Sequence, residues 1–411
     1  MGVFMRLLSG LLTKFIHRGT LRVIDAKGKS HTFGDGAEPA VTLQLHDPRL
    51  HYQLFFNPEL KTAEAYMDGT LTFSDGSSVF DLLYLFSINR QGLGSHPVQK
   101  ALRNYWRKMR NRHQANRKVA AAANARSHYD LSDELYGLFL GCEMQYSCAY
   151  FNDPDDTLEQ AQKAKLRHIA AKLALTPGMT VAEIGGGWGG LAVYLAKSCG
   201  AQVTSINVSP EQIAVAKQRA ADAGVSDKIN FVEIDYREFS GQFDRVVSIG
   251  MMEHVGAPFL DTYFEIVRGL LKDDGYGLIH SIGRMTPPGT TAPFFRKYIF
   301  PGSYVPALSE AFASTERAGL WVADAEILRL HYYYTIQHWR RRFADNRETA
   351  AKLYDERFCR MWEFYLAAVE LIFLNGSNMV FQLLVAKTRD AVPITRDFIA
   401  AETRKLETPL S

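Results

Sequence analysis

Cysteine and long apolar runs are both scarce in this chain of 411 residues, which contains four cysteines. None of the four forms a CxxC pair, so the sequence offers no structural zinc site, and no metal is predicted. The most apolar late window, residues 366–386, is interrupted by Glu370 and by the pair Asn375-Gly376. Because a membrane-spanning helix needs about 20 mostly apolar residues, this window instead predicts a buried helix, a turn and a buried strand.

The N-terminus carries a short apolar run without a small-residue cleavage site, so no secretory signal is predicted. A reducing cytoplasm with free thiols is therefore expected. Apolar residues recur at helical spacing over residues 1–16, with Arg6 and Lys14 among them, which predicts an amphipathic helix. Such a helix either lies on a membrane or docks on the first domain, and the sequence leaves both open.

The net charge of +3 hides a basic stretch, because nine Lys/Arg and no Asp/Glu lie from Lys100 to Arg126. Such a stretch is typical of a solvated helical linker. It also suits an anionic partner, and a membrane surface would attract it by ~1 kcal/mol per nearby basic residue. Nucleic acid is the other anionic candidate, and charge alone does not separate the two.

Two patterns of periodicity divide the chain. Strand-like alternation over residues 20–56, including HYQLFF (51–56), and helical patterns over residues 58–88 predict a small α+β domain at residues 1–99. The basic linker helix is placed at residues 100–126. From Met179 onward strands and helices alternate, which predicts a mostly parallel sheet covered by helices on both faces, an α/β fold. This second domain is assigned to residues 127–390, and residues 391–411 are left as a C-terminal tail.

A glycine-rich loop follows the first strand of the α/β region. Glu183 precedes Gly185, Gly187 and Gly189 in an E-x-G-x-G-x-G arrangement that opens a helix, where open α/β sheets bind ligands. Dinucleotide binding is the rival interpretation. The second strand, however, closes with Asn207 rather than Asp or Glu, which argues against a nicotinamide enzyme.

The loop resembles the first motif of class I S-adenosylmethionine methyltransferases. In that class the carboxylate organises the loop and the amino-acid end of the cofactor, and the end of the third strand lies near the adenine. The resemblance therefore assigns cofactor binding to Glu183, Gly185, Gly187, Gly189, Asn207, Gln212, Asp235 and Tyr236.

Cys148 lies in the segment QYSCAYF (145–151), ahead of the glycine loop. From the residues alone it could be a nucleophile, a metal ligand, half of a disulfide or a packing residue. The choice bears directly on the chemistry of the protein.

Further segments resemble the cyclopropane-fatty-acyl-phospholipid synthases and the related mycolic acid cyclopropane synthases. These segments occur in family order over about residues 127–390: SHYDLSDELYGLFL (127–140), QYSCAYF (145–151), EIGGGWGGLA (183–192), FDRVVSIGMMEHVG (243–256), LIHSIG (278–283), KYIFPGS (297–303) and HYYYTIQHW (331–339). The N-terminal EAYMDGTLTFSDGS (64–77) is similar to the longer members that act on phospholipids.

The resemblance implies a class I methyltransferase fold, with a Rossmann-like, seven-stranded, mostly parallel sheet. It implies methyl transfer from S-adenosyl-L-methionine to a cis double bond of a phospholipid acyl chain, followed by loss of a proton that closes a cyclopropane ring. Cys148, Glu253, His280, the backbone of Ile282 and Tyr332 are implied to surround a bound bicarbonate that takes this proton, while Tyr146 and Ser147 are implied to contact the methionine end of the cofactor. His254 is interpreted as structural.

The methyl donor already carries its leaving group, so Cys148 need not be a nucleophile and is interpreted as a weak hydrogen-bond donor beside the anion. The expected partner is the anionic phospholipid surface, on the inner face of the membrane, with no nucleic acid. A homodimer is kept as one oligomeric arrangement.

Two departures from the family pattern bear on these expectations. Many members have cysteine in the middle of the glycine loop, where this chain has Gly186, a change expected to be harmless. Many also carry a late cysteine where this chain has Val369, so an essential thiol at that position would leave the protein inactive. The rival functions are a methyltransferase whose product is branched or hydroxylated, and a lipid- or cofactor-binding protein with a degenerate active site.

Overall fold

The computed structural model describes residues 3–91 and 131–407, which form two compact units. The first contains the N-terminal residues to 91, Thr290–Ile299 and Ile336–Ser377; the second contains the rest of the described chain. The units are therefore discontinuous, unlike the contiguous domains expected from the sequence, because two later segments pack with the N-terminal residues. The expected basic linker at residues 100–126 lies outside the described residues.

The N-terminal part of the first unit is a small sheet with helices. Its strands pair in the order β2-β1-β3-β4. The elements are α1 (Val3–Phe15), β1 (Thr20–Ile24), β2 (Ser30–Gly34), β3 (Ala40–Leu45), α2 (Leu50–Phe56), α3 (Pro58–Met67), β4 (Leu71–Ser74) and α4 (Val79–Ile88). This is the α+β arrangement that the alternation predicts.

Two local predictions in this region are wrong. HYQLFF forms most of helix α2 rather than a strand, since its buried residues Leu50, Leu54 and Phe55 follow helical spacing. Residues 71–74, expected to be helical, form strand β4 along β3. In both places the segment is too short for periodicity to separate the two structures, and packing against the sheet decides.

The predicted amphipathic helix is α1, and the first unit buries its apolar face. Met5, Leu8, Leu12 and Phe15 are buried in one cluster with residues of the four-stranded sheet. Of the two alternatives left open by the sequence, the structure shows the docked helix.

The sheet of the second unit has seven strands in the order β10-β11-β9-β8-β5-β6-β7. The five strands β5 to β9 run parallel, whereas β11 is antiparallel to both β9 and β10. The strands are β5 (Thr180–Ile184), β6 (Gln202–Asn207), β7 (Ile229–Glu233), β8 (Phe243–Ile249), β9 (Leu271–Arg284), β10 (Trp321–Leu328) and β11 (Asn378–Ala386). The mostly parallel seven-stranded sheet predicted from the sequence is confirmed.

Further helices follow along the described chain, and those within residues 336–377 belong to the first unit. These further helices are α5 (Asp133–Leu140), α6 (Leu158–Leu173), α7 (Gly190–Cys199), α8 (Pro210–Asp222), α9 (Leu260–Leu270), α10 (Leu308–Arg317), α11 (His331–Asp345), α12 (Arg347–Leu353), α13 (Glu356–Leu374) and α14 (Asp397–Glu407). Helix α14 falls in the region expected to be a tail; its Phe398 and Leu406 pack against the second unit's core.

The late apolar window folds as predicted, into the end of α13, a turn at Asn375 and the buried strand β11. Glu370 is fully buried in α13 because Arg340 donates a hydrogen bond of 2.5 Å to its carboxylate, which supplies the partner that a buried charge requires. Among the described helices, none combines the length and the apolar character needed to cross a membrane.

Candidate active site

The glycine loop joins β5 to α7 at the carboxyl edge of the parallel sheet. Gly187 and Gly189 adopt φ of 53° and 79°, the left-handed region that glycine tolerates best. A Cβ on Gly189 would lie 2.6 Å from the Cβ of Ala216 on α8. The loop therefore needs glycine both for its turn and for the close approach of α8.

Glu183 is buried at the end of β5 and is held by a residue of the next strand. Ser205 Oγ donates to Glu183 Oε2 at 2.5 Å, because the register of β5 and β6 places these two residues opposite each other. Burial raises the pKa of Glu183 to about 7, although the hydrogen bond from Ser205 opposes the rise. The carboxyl group thus stands beside the loop that it was expected to organise.

Gly186, interpreted from the sequence as a harmless departure, is constrained by this pair. A Cβ at position 186 would lie 1.9 Å from Ser205 Oγ and 2.9 Å from Glu183 Oε2. Both distances are too short for non-bonded contact, so the space that a cysteine side chain would fill is taken by the Ser205 hydroxyl. The interpretation that Gly186 is neutral is incomplete, because the glycine is required by the serine.

Asn207 and Gln212 form the next part of the site, after β6. Asn207 donates from Nδ2 to the carbonyl oxygen of Gly187 at 3.2 Å and to Gln212 Oε1 at 2.8 Å. Gln212 is 4 % exposed, and its Nε2 has no hydrogen-bond partner among the described residues. A buried amide donor of this kind is available for a ligand.

Asp235 and Tyr236 follow β7. Both Asp235 oxygens accept hydrogen bonds from Arg237, at 2.8 and 2.6 Å. Tyr236 is buried against Tyr263, with a ring-centroid separation of 5.8 Å. Arg237 was not predicted to belong to the site, and its bidentate pairing fixes the Asp235 carboxylate.

The segment before α6, which contains Tyr146 and Ser147, also contributes to the site. Lys165, which is 1 % exposed, donates to Gln145 Oε1 at 2.7 Å and to Ser147 Oγ at 2.8 Å. Burial lowers the pKa of Lys165 to about 7. Tyr146 packs against Tyr136, with ring centroids 5.3 Å apart. Tyr146 and Ser147, both predicted to contact the cofactor, are therefore held by residues outside the glycine loop.

These groups surround a cavity of about 190 Å³ at the carboxyl edge of the sheet. Nine of the ten residues predicted to bind the cofactor line it: Tyr146, Ser147, Glu183, Gly185, Gly187, Asn207, Gln212, Asp235 and Tyr236. The tenth, Gly189, instead caps the N-terminus of α7. The unpartnered Gln212 donor and the glycine cradle fit S-adenosylmethionine, whose amino-acid end needs close backbone approach.

Cys148 is buried, and its Sγ lies 3.3 Å from the Ala149 carbonyl oxygen. The backbone that follows it is tied to α11, since Ala149 N donates to Thr335 Oγ1 and Phe151 N donates to His331 Nδ1, each at 3.0 Å. Burial raises the pKa of the thiol well above its usual value. The thiol therefore stays protonated at neutral pH, which argues against a nucleophilic role. All four cysteines are free.

Glu253 lies on the turn after β8 and contacts the end of β9. Ile282 N donates to Glu253 Oε1 at 2.6 Å, while Oε2 is buried without a hydrogen-bond partner in the described chain. Burial raises the pKa of Glu253 to about 7, and the backbone N–H groups of Ile282 and Glu253 and the Ser281 side chain oppose the rise. Met251, His254 and Val255 on the same turn line the cofactor cavity.

His280 lies two residues before Ile282 on β9 and is 2 % exposed. Gln382 Nε2 on β11 lies 3.1 Å from His280 Nδ1, within hydrogen-bond distance. Burial and the positive charge of Lys165 lower the pKa of His280 to about 3. Tyr332 is buried on the first turn of α11, the helix that holds the backbone around Cys148.

The structure thus joins Glu253 to Ile282 directly and ties the Cys148 segment to the helix that carries Tyr332. His254, interpreted as structural, lines the cofactor cavity, and burial lowers its pKa to about 4. Sequence reasoning missed Lys165 and Gln162, although both fall on the buried face of α6 with Ala161 and Ile169. A polar residue at an apolar position of a helix is the signal that could have found them.

The strand order, the glycine loop and the cavity define a class I S-adenosylmethionine-dependent methyltransferase. Residues 116–383 match the family described as mycolic acid cyclopropane synthetase. The chain belongs to this family, as the resemblance implied.

Two relatives and one solved structure are similar to this chain. A "probable fatty acid methyltransferase" of Pseudomonas putida is 40% identical over 268 residues, 63% of this chain and 68% of that protein. The "cyclopropane-fatty-acyl-phospholipid synthase" of Escherichia coli K12 is 34% identical over 358 residues, 86% of this chain and 89% of that protein. The mycolic acid cyclopropane synthase CmaA1, solved with SAH and CTAB, has a TM-score of 0.61 and 30% identity over 64% of this chain and 97% of its own.

The competition between Gly186 and Ser205 leads to a stability prediction. Gly186→Ala should destabilise the second unit by about 1–3 kcal/mol, the usual cost of overpacking, and should weaken S-adenosylmethionine binding. In a Ser205→Ala background the hydroxyl is gone, so the added cost of Gly186→Ala should fall by about 1 kcal/mol, within the range for residues in contact. Thermal unfolding and calorimetric cofactor titration of the four proteins in this cycle measure both effects. Strict additivity would contradict the steric explanation.

Proposed function

We propose that this protein forms cyclopropane fatty acids on phospholipids, by transferring a methylene group from S-adenosylmethionine to a cis double bond of an unsaturated acyl chain. S-adenosylmethionine supplies a methyl group on a positively charged sulfur. In the net reaction the carbon–sulfur bond breaks, two carbon–carbon bonds form in place of the π bond, and one proton leaves. The E. coli relative, which covers 86% of this chain, supports this substrate class.

One observation carries the proposal: Glu253 Oε2 is buried with no hydrogen-bond partner among the described residues, while its other oxygen is fixed by Ile282 N–H. Its neighbours Met251 and His254 line the cofactor cavity. An unsatisfied buried carboxylate oxygen is costly in a native protein and is explained if it accepts a hydrogen bond from a ligand. Bicarbonate fits here, because its hydroxyl can donate to Glu253, and when bound it would supply a mild base.

The other residues have matching tasks. His280 is neutral at physiological pH, so one ring N–H would donate to a small anion together with the Tyr332 hydroxyl. The Cys148 thiol, which donates to the Ala149 carbonyl oxygen, would have to turn to add a further donor. Burial keeps water away, which matters because water would capture a cation on the acyl chain. Aromatic faces stabilise such a desolvated cation by about 2 kcal/mol each.

The alternative product is a branched chain. The P. putida relative, the more similar in sequence of the two, is named a probable fatty acid methyltransferase, and the same cation can be resolved by hydride shift or elimination. Ring and branch differ in where the proton is lost, so the residues around Glu253 decide between them.

Product analysis tests the proposal. The protein is expressed in a bacterial host whose own cyclopropane synthase gene is deleted, and the membrane phospholipids are isolated and analysed by mass spectrometry. We expect unsaturated chains to gain one methylene unit, and proton NMR to show cyclopropane resonances. A methyl or methylene branch would favour the alternative, and unmodified lipids alongside active protein would refute the phospholipid substrate.

Glu253→Gln should lower kcat by about 10²–10⁴-fold, the usual contribution of an acid–base group, with S-adenosylmethionine affinity within a few-fold of wild type. His280→Ala should behave in the same way.

Since burial raises the pKa of Glu253 to about 7, wild-type activity should rise with pH through about 7 as the carboxylate forms, and the residual activity of Glu253→Gln should lack this step. The exposed Glu316→Gln is the matched control. A collapse of cofactor affinity in Glu253→Gln would instead assign this residue to the nucleotide site.

We further propose that the basic stretch from Lys100 to Arg126, which lies outside the described residues, draws the protein to the anionic inner face of the membrane. Changing Arg103, Arg107, Arg110 and Arg112 to Gln should weaken sedimentation with phosphatidylglycerol vesicles at low salt, and less so at high salt. The control changes the exposed Lys27, Lys29, Lys163 and Lys217, which alters net charge equally. Equal loss in both quadruple variants would show a net-charge effect only.

A homodimer stays a prediction, which light scattering tests.

A further inference from the structure

The first unit contains an apolar cavity of about 360 Å³ that the proposed chemistry does not use. Its walls come mainly from helices α1 to α4, the four-stranded sheet, residues 292–295 and α13. Every lining residue belongs to this one unit.

The cavity is too large to be a packing defect. Protein interiors are packed like organic crystals, with few voids larger than a water molecule, and cavities that bind small molecules begin near 300 Å³. Its walls are almost entirely Leu, Ile, Val, Phe and Ala side chains, with hydroxyls only from Thr62 and Ser87. The body of any ligand that fills it must therefore be a hydrocarbon.

Two helices direct regular stripes of side chains at this cavity. Helix α1 contributes Leu8, Leu11, Leu12 and Phe15, and α13 contributes Phe364, Ala368, Leu371 and Ile372. Both sets follow the i, i+3/i+4, i+7 spacing of a single helix face. The N-terminal helix thus buries its apolar face partly around an open space rather than entirely against side chains.

The polar groups of the lining mark where the cavity reaches the surface. Arg90 and Glu59 line it and are both exposed. The guanidinium of Arg90 makes no ion pair within the described residues. Glu59 already interacts with another group, whereas Arg90 can receive an anion. A ligand with a long apolar body and an anionic end therefore matches this cavity, since the chain can enter while the anion stays beside Arg90 in water.

We infer that the apolar cavity of the first unit binds an acyl chain of a phospholipid, with the phosphate of that lipid next to Arg90. This inference rests on the proposed function, because it takes its lipid class from the proposed substrate. It assigns lipid binding to the N-terminal unit, a role that neither the glycine loop nor the groups around Glu253 would perform.

Photolabelling with a phosphatidylglycerol that carries a diazirine in one acyl chain tests the inference on the full-length protein. We expect adducts on peptides from α1 and α13. Ala368→Trp and Ala292→Trp place a large side chain in the cavity and should reduce this labelling at least ten-fold. The control Ala351→Trp adds the same side chain on α12 of the same unit, outside the cavity lining, and should label like wild type. Thermal unfolding checks that each variant is folded.

Arg90→Ala tests the head-group contact without altering the walls. It should reduce labelling by the phospholipid probe several-fold but leave labelling by a neutral diazirine alkane unchanged. Absence of adducts in α1 and α13 of the wild type, or equal labelling of the filled-cavity and control variants, would overturn the inference, as would labelling by a free fatty acid probe alone.

The lipid-modification assay separates this inference from the proposed function. Cyclopropane products without labelling in α1 or α13 would overturn the cavity assignment and leave the proposed function intact. Labelling there by a protein that modifies no phospholipid would refute the function instead.

Discussion

The removal of water from ionisable side chains at the carboxyl edge of the parallel sheet is the constraint on which the site depends. Burial raises the pKa of Glu183 and Glu253 to about 7 and lowers that of His280 to about 3. It also keeps the Cys148 thiol protonated. Burial therefore leaves the imidazole and the thiol uncharged at neutral pH. That state suits the reaction proposed above, because water or a thiolate would capture a cation on the acyl chain.

This constraint also explains the position of Cys148. Hydrogen bonds from the backbone of Ala149 and Phe151 to α11 hold the segment that follows the thiol, so its placement depends on backbone contacts rather than on reactivity. The neighbouring Ser147 is held by Lys165, whose charge also acts on His280. The QYSCAYF segment thus connects the cofactor cavity with the residues proposed to hold the anion.

The sequence was most informative where a residue's task is local. The parallel strands β5 to β9 were recognisable because each contains a short apolar run, and Glu183 and the loop glycines were recognisable from their spacing. Strand β10, which carries Asp324 and Glu326, was not. Prediction failed where partners are distant. Helix α2 is as short as a strand, and the joining of residues 336–377 to the N-terminal unit depends on tertiary packing. Lys165 was overlooked because its helix carries several other charged residues, among them Lys163 and Arg167.

The pair Gly186 and Ser205 shows why a departure from a family pattern needs the structure for its interpretation. The two positions are 19 residues apart in sequence, and only the pairing of β5 with β6, which sets Glu183 opposite Ser205, brings them together. Ser205 supplies the hydrogen bond that a buried Glu183 requires, and by doing so it takes the volume next to residue 186. A side chain at position 186 would have to displace that hydroxyl and leave the carboxyl group unpaired, at the cost of an unsatisfied buried polar group. Gly186 and Ser205 therefore depend on each other. The serine stabilises the buried carboxyl group of Glu183, and the glycine leaves room for the serine hydroxyl under the loop.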